Sequence, residues 1–331
     1  MAVQHDERGR IPILGETSGL TAAQAQRVQT LQVIVKEETP FLPRVAFTLI
    51  TVASLAGAVF TGYGMGLSAV ELPVRWLALW TTALAGGLLV WRLVYLRAVE
   101  PDLDPETVDA LNHTALSRAD RVGRALAPIA ALGAAGAIVS GYLDSQRVLQ
   151  WSLAAGALVL AGLLAAGIRR GSTAAAALLV CVLLLAGWAY GDAGAGWRGG
   201  VRLLHLTAFT LWLGGALWNI AVAMPAGRAH PTVDAVLAGA RQLDRFRWVV
   251  RFALPTIIVT GLIMAGAYRA LPAQWWLHFP GALIPLKALM IVALIGVFIA
   301  CPLFRQCSPV QGVCNVDDLN PDAGVPGREH A

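Results

Sequence analysis

LQWSLAAGALVLAGLLAAGI, RRGS, TAAAALLVCVLLLAGWAY: the stretch from Leu149 to Tyr190 is two apolar blocks around a four-residue polar pivot. Crossing the hydrocarbon of a bilayer takes about 20 predominantly apolar residues in an α-helix. Neither block carries an ionised side chain, and Arg169-Arg170-Gly171-Ser172 is too short for anything but a tight reversal. The stretch therefore reads as two membrane-crossing helices joined by a turn.

Working outward, similar blocks run from Val45 to Leu67, Val74 to Leu96, Arg124 to Leu143, Val201 to Met224, Trp248 to Tyr268 and Leu283 to Leu303. The composition agrees with this reading. Of 331 residues, 57 % are hydrophobic and 14 % charged, whereas a soluble domain has about 25 % charged residues. So few charges cannot coat a water-exposed surface. The fold class is an all-α membrane protein, a bundle of eight transmembrane helices. It divides into an N-terminal segment (1–44), five helices (45–200), a three-helix region (201–304) and a tail (305–331). Gly133 with Ala137 and Gly162 with Ala166 have the small-xxx-small spacing that lets helices approach closely.

Arginine and lysine are retained on the cytoplasmic side. They collect in the N-terminal segment (Arg8, Arg10, Arg27, Lys36, Arg44), in the second connection (Arg97, Arg118, Arg121), in the pivot, and in the sixth connection (Arg228, Arg241, Arg245, Arg247). The alternate connections hold little beyond Arg147, Arg198 and Arg269. Both termini are thus expected in the cytoplasm, with residues 1–44 retained, since they lack the charged start and short apolar core of a signal peptide. The Thr21 to Lys36 stretch is expected as a surface helix or a docking segment. The net charge of +5 does not indicate nucleic acid, because it is spread over short connections with no long basic run. Four cysteines make no disulfide framework, and no Gly-rich GxxxxGK[ST] phosphate loop supports ATP-driven transport.

Ionisable groups at membrane depth are the default functional candidates. Asp144 and Asp192 fall at outer ends of spans, so no relay built on a buried carboxylate is expected. His205 is the histidine embedded in an apolar span, and it reads either as a side chain bonded to a neighbouring carbonyl or as a ligand for copper or haem iron. His278 lies in the seventh connection on the same side, between Trp275-Trp276, expected as headgroup-level anchors, and Pro280. Lys287 could snorkel, hold an anion or a quinone oxygen, or keep a second cation out. Met264 and Met65 are soft thioether donors. On the cytoplasmic side lie His113, His230 and Cys301, with Cys307 and Cys314 as a conceivable thiolate receiving site.

Three segments together resemble the CopD family of bacterial inner-membrane copper resistance and copper transport proteins. These are His205-Leu206-Thr207-Ala208-Phe209-Thr210-Leu211-Trp212-Leu213-Gly214-Gly215, then Val259-Thr260-Gly261-Leu262, then Gly281-Ala282-Leu283-Ile284-Pro285-Leu286-Lys287-Ala288-Leu289. The resemblance covers about the last 130 residues and is only architectural before them. It implies copper handling at the outer face, through His205 with His278, Met264 or Met65, supported by Thr260, Trp212 and Lys287, and receipt from a periplasmic copper carrier. The chain departs from the pattern in lacking a Met- or His-rich outer loop and in carrying a cysteine-bearing tail. The competing reading is a haem b-binding or quinone-reactive membrane anchor on which an oxidoreductase subunit docks, and a third is a membrane subunit without chemistry of its own.

Overall fold

The computed structural model describes residues 41–140, 147–230 and 232–300. The Thr21 to Lys36 segment, Asp144, Cys301, Cys307 and Cys314 lie outside them. Among the described residues all regular structure is helical. The long helices are α1 (Phe41–Gly64), α2 (Glu71–Val90), α3 (Pro105–Val139), α4 (Arg147–Ala166), α5 (Gly171–Ala193), α6 (Trp197–Leu217), α7 (Val233–Ala265) and α8 (Leu283–Ala300). Two of them run on through π-helical turns, α2 into Trp91–Tyr95 and α6 into Trp218–Ala223, the latter followed by a short helix, Met224–Ala229.

The first seven helices are long and apolar enough to cross a membrane, and the eighth has a shorter described apolar run, Leu283–Val297. Leu158, Val159, Leu179, Leu183, Leu262, Leu289 and Val292 turn more than half of their surface outward. An apolar surface of this extent is solvated by lipid tails, with every backbone group satisfied inside the helices. The chain is a multi-pass helical membrane protein.

Two helices form the centre. In α2 67 % of the apolar window is buried and in α6 61 %, against 28 % for each of α1 and α7. They cross at glycine. A Cβ on Gly87 would lie 2.3 Å from the Thr210 carbonyl oxygen, and one on Gly214 would lie 2.2 Å from the Gly87 Cα. Both obstacles are backbone, so neither can yield, and the crossing requires the missing side chains. Gly133 packs on Ala157 and Ala78 at ordinary contact distance, so a Cβ would fit there, whereas Gly162 meets nothing within 4 Å. Only the first of the two small-residue pairs is a helix contact.

Two helices begin well before their apolar blocks. The start of α3 is Pro105 rather than Arg124, where Asp104 Oδ2 accepts from the Thr107 N–H at 2.9 Å and from Thr107 Oγ1 at 2.6 Å. Similarly, α7 starts at Val233 rather than Trp248, with Thr232 Oγ1 accepting from the Ala235 N–H. Apolarity marks only the part of a helix in hydrocarbon; caps decide where it ends. These polar turns project from one end of the bundle, here called the lower end. The long second and sixth connections are therefore largely helix.

The lower end is fastened by arginine. Arg245 binds Glu100 Oε2 at 2.7 Å and the Tyr95 carbonyl at 3.0 Å, and Arg92 Nε donates to the Ile168 carbonyl at 2.9 Å. The reversal between α4 and α5 closes where Gly167 takes φ +100° and the Ile168 N–H donates to Asp120 Oδ1 at 2.8 Å.

Gly214→Ala is expected to destabilise the bundle by about 1–3 kcal/mol, the usual cost of overpacking, while Gly162→Ala stays near wild type; unfolding in detergent by SDS titration measures both. The hydrogen bonds from Thr107 hold the Asp104 carboxyl below its usual range. Such a depressed group stabilises above its unfolded pKa of about 3.9, and the contribution is lost as pH falls through the lower folded value. Amide exchange in the first turn of α3 should accelerate over that acid range in wild type and be fast at all pH in Asp104→Ala.

Candidate functional site

At the opposite, upper end, where α2 and α6 begin and α5 ends, three side chains from three helices meet. His205 lies eight residues into α6, about 12 Å along its axis at 1.5 Å per residue. Its ring is 8 % exposed. Nδ1 stands 2.8 Å from Thr260 Oγ1 on α7, and Nε2 stands 3.5 Å from the Lys287 ammonium on α8.

The tautomer follows from proton counting. Thr260 has one hydroxyl proton, and it donates that proton back to the carbonyl of Thr256, one turn earlier in its own helix. The hydroxyl oxygen must then accept from His205, so Nδ1 carries the N–H and Nε2 the lone pair. Gly261, next in the chain, faces the ring edge; a Cβ there would sit 3.8 Å from Cε1. Of the Thr-Gly pair it is the threonine that holds the imidazole; a side-chain carbon at Gly261 would make only ordinary contact with the ring.

Lys287 reaches the histidine because α1 presents Gly57 behind it, where a Cβ would come within 3.1 Å of Nζ. Trp212 is 2 % exposed, two turns deeper in α6 than His205; it is part of the hydrophobic core. Met264 follows Thr260 by four residues on α7 and so shares its face. His278 is exposed and bonds through Nδ1 to the Gln274 carbonyl of its own loop at 2.7 Å. Met65, just past α1, packs against the core. The structure thus joins His205, Thr260 and Lys287 and ties His278 into its own loop. Trp275 stacks on Tyr268 at 5.4 Å and meets Phe60 edge-on at 6.2 Å, so it belongs to an aromatic cluster joining α1 to the seventh connection.

One feature was missed in the sequence. Asp192, at the end of α5, is a buried carboxylate shared by Arg75 of α2 and Arg202 of α6. The side chain of Asp192 is 0 % exposed, that of Arg75 1 % and that of Arg202 16 %. The Arg75 guanidinium also lies over the Trp188 ring, 5.4 Å from its centroid. Asp192 was expected merely to flank the outer end of its span; it is instead the centre of a three-membered ion cluster one helical turn from His205. The signal available was an arginine inside each of two apolar blocks.

At the lower end a surface cavity is lined by Glu106, Asp109, His113, Thr114 and His230, with His230 Nε2 2.8 Å from Thr114 Oγ1. Among the described residues no three His, Cys, Asp or Glu side chains converge as a metal group. No family model, curated protein or solved structure matches the chain.

Replacing Asp192 by Asn leaves two arginines in low dielectric without their carboxylate. Removing one partner of a buried ion pair costs about 3–5 kcal/mol. Asp192→Asn should lose stability on that scale in SDS unfolding, and much more than Asp244→Asn, whose side chain is 59 % exposed beside Arg247.

Proposed function

We propose that the chain is a CopD-like copper-handling protein of the bacterial cytoplasmic membrane, with eight spans and both termini in the cytoplasm, binding copper at its periplasmic end through His205. The observation that carries the reading is the fixed imidazole: Nδ1–H is held by Thr260, which leaves Nε2 as a lone-pair donor inside the bundle. Metal-binding histidines are oriented in this way, by an acceptor on the nitrogen that does not bind the metal. Met264, on the face of Thr260, supplies a thioether suited to Cu(I). The upper end of the bundle is on this reading the periplasmic face, and a periplasmic carrier delivers the metal there. The lower end, where Arg92, Arg241, Arg245 and the Arg169-Arg170 pivot gather, is the cytoplasmic face, in keeping with the retention of positive charge.

A second reading draws on Lys287. An ammonium donor and an imidazole acceptor 3.5 Å apart also suit the two oxygen states of a quinone, the carbonyl accepting from Lys287 and the hydroxyl donating to Nε2. That arrangement favours a quinone-reactive anchor for an oxidoreductase subunit over haem b, for which His278 would have to leave the Gln274 carbonyl and serve as the second axial ligand.

Absorbance, metal analysis and Cu(I) titration against a competing chelator, on purified wild type, His205→Ala and Thr260→Val, separate these readings. The copper reading expects bound copper without a Soret band, its loss in His205→Ala, and about 10–100-fold weaker binding in Thr260→Val, the usual effect of removing an orienting partner. A Soret band lost in His205→Ala, or wild type that binds no Cu(I), overturns it; ubiquinone retained by wild type and lost in Lys287→Met supports the second.

A further inference from the structure

The helix that holds His205 in place, α7, is fastened to the bundle very differently on the two sides of Pro255. Below the proline Leu243, Phe246, Val249, Val250 and Ala253 are all buried. Above it Ile257 and Thr260 are the buried residues, and none from Gly261 to Ala265 is buried. Val259, Leu262 and Ile263 face outward.

The helix runs from Val233 to Ala265 with Pro255 inside it, and three residues loosen it at this one place. Pro255 has no N–H, so the bond that would end on the Arg251 carbonyl is missing. Thr256 donates its hydroxyl to the Phe252 carbonyl at 2.7 Å, and Thr260 donates to the Thr256 carbonyl. Back-bonding of this kind weakens and bends a helix, and proline is a common cause of a sharp kink.

Beyond the proline α7 is tied at two heights. Thr260 Oγ1 is 2.8 Å from His205 Nδ1 on α6. Just past the end of the helix, Tyr268 meets Phe60 of α1 edge-on at 5.2 Å and stacks on Trp275 at 5.4 Å. The helix that carries Lys287 packs chiefly on α1 and so does not brace this stretch. Helices in lipid are held by packing and interhelical hydrogen bonds, with no hydrophobic gain between them. A stretch with two inward residues therefore depends on its bond to His205.

We propose that α7 from Thr256 to Ala265 is a hinged strap that opens about Pro255 and lets go of His205. Closed, Thr260 fixes the imidazole and Gly261 lies beside its Cε1 edge. Open, the ring has no partner on Nδ1, turns about its own side-chain bonds and is reached from between α6 and α7. The aromatic cluster keeps the upper end in place, so the strap bows outward between two fixed points. It does not rest on the copper reading, since it governs access to the imidazole whatever binds there.

Hydrogen exchange read by mass spectrometry on the full chain in detergent tests the strap, with peptides covering 256–265 compared against peptides covering 240–252. Thr260→Val and His205→Ala remove the same hydrogen bond from its two ends. Each should speed exchange in 256–265 by about three- to tenfold, the usual worth of one interhelical hydrogen bond in a membrane protein, and leave 240–252 as in wild type. Thr260→Ser keeps the hydroxyl and should exchange as wild type. Pro255→Ala, which restores the missing N–H, should slow 256–265, and in Pro255→Ala combined with Thr260→Val the acceleration should be largely abolished. If Thr260→Val does not fold, His205→Ala carries the same comparison. No acceleration in either variant, the same acceleration with Ala at 255, or equal acceleration in 240–252 overturns the proposal. No metal enters these measurements, so a failure of the copper reading leaves their outcome untouched.

Discussion

The contact of Gly87 with Gly214 sets the height of everything at the upper end of the bundle. With no side chain between them, α2 and α6 touch backbone to backbone, and both helices run downward from the upper end. Arg75 precedes Gly87 by twelve residues, and Arg202 precedes Gly214 by twelve. At 1.5 Å per residue both arginines therefore stand about 18 Å above the crossing, at one level on two parallel helices, where the end of α5 delivers Asp192 between them. His205 follows on the same helix, one turn further down. A shift of either helix by one turn would part the arginines by about 5.4 Å and leave one of them without its carboxylate.

Such a cluster is a poor way to gain stability. Taking ions out of water costs several kcal/mol each, and the attraction recovered often does no more than offset it. What the cluster does is fix a charge pattern beside His205. Because Asp192 is held by two guanidinium groups, its charge is engaged by them, and the charge that stands against the imidazole itself is the Lys287 ammonium, 3.5 Å from Nε2. The imidazole is fixed by an uncharged partner, Thr260, whose own proton is committed to Thr256. Orientation and charge are thus supplied by different groups, and a substitution can alter one without the other.

The sequence was most informative where one residue type is rare. A histidine in an apolar span, a Thr-Gly pair and a lysine near the start of the last helix each stand out, and these are the residues that meet. Arg75 and Arg202 did not stand out, since each lies within a turn or so of the start of its helix, where an arginine ordinarily belongs to the headgroup region. Their burial comes from α5, which ends between them, and no local pattern announces that. Helix starts at Pro105 and Val233 were hidden for another reason: apolarity stops at the membrane boundary, while capping by Asp104 and Thr232 lies 15 or more residues beyond it. His278 shares a side with His205 in the chain's alternation, but its loop turns through Ala273–Leu277 and holds its ring on Gln274. Sidedness along a chain places a residue at one end of a bundle without placing it in a site.

On the copper reading, the donors near His205 also constrain which metal the upper end would hold. Zinc and similar divalent ions in protein sites take four ligands, or three and a water, whereas no group of three His, Cys, Asp or Glu converges among the described residues. A single fixed imidazole nitrogen with a thioether on the neighbouring helix face fits a soft ion of low coordination number. The Lys287 ammonium, 3.5 Å from the same nitrogen, acts in the same direction, because the Coulomb cost of placing a cation near fixed positive charge scales with the charge of that cation; a divalent ion pays it twice over. Cargo selection at this end would then come from the charge arranged around one histidine as much as from the identity of its ligands.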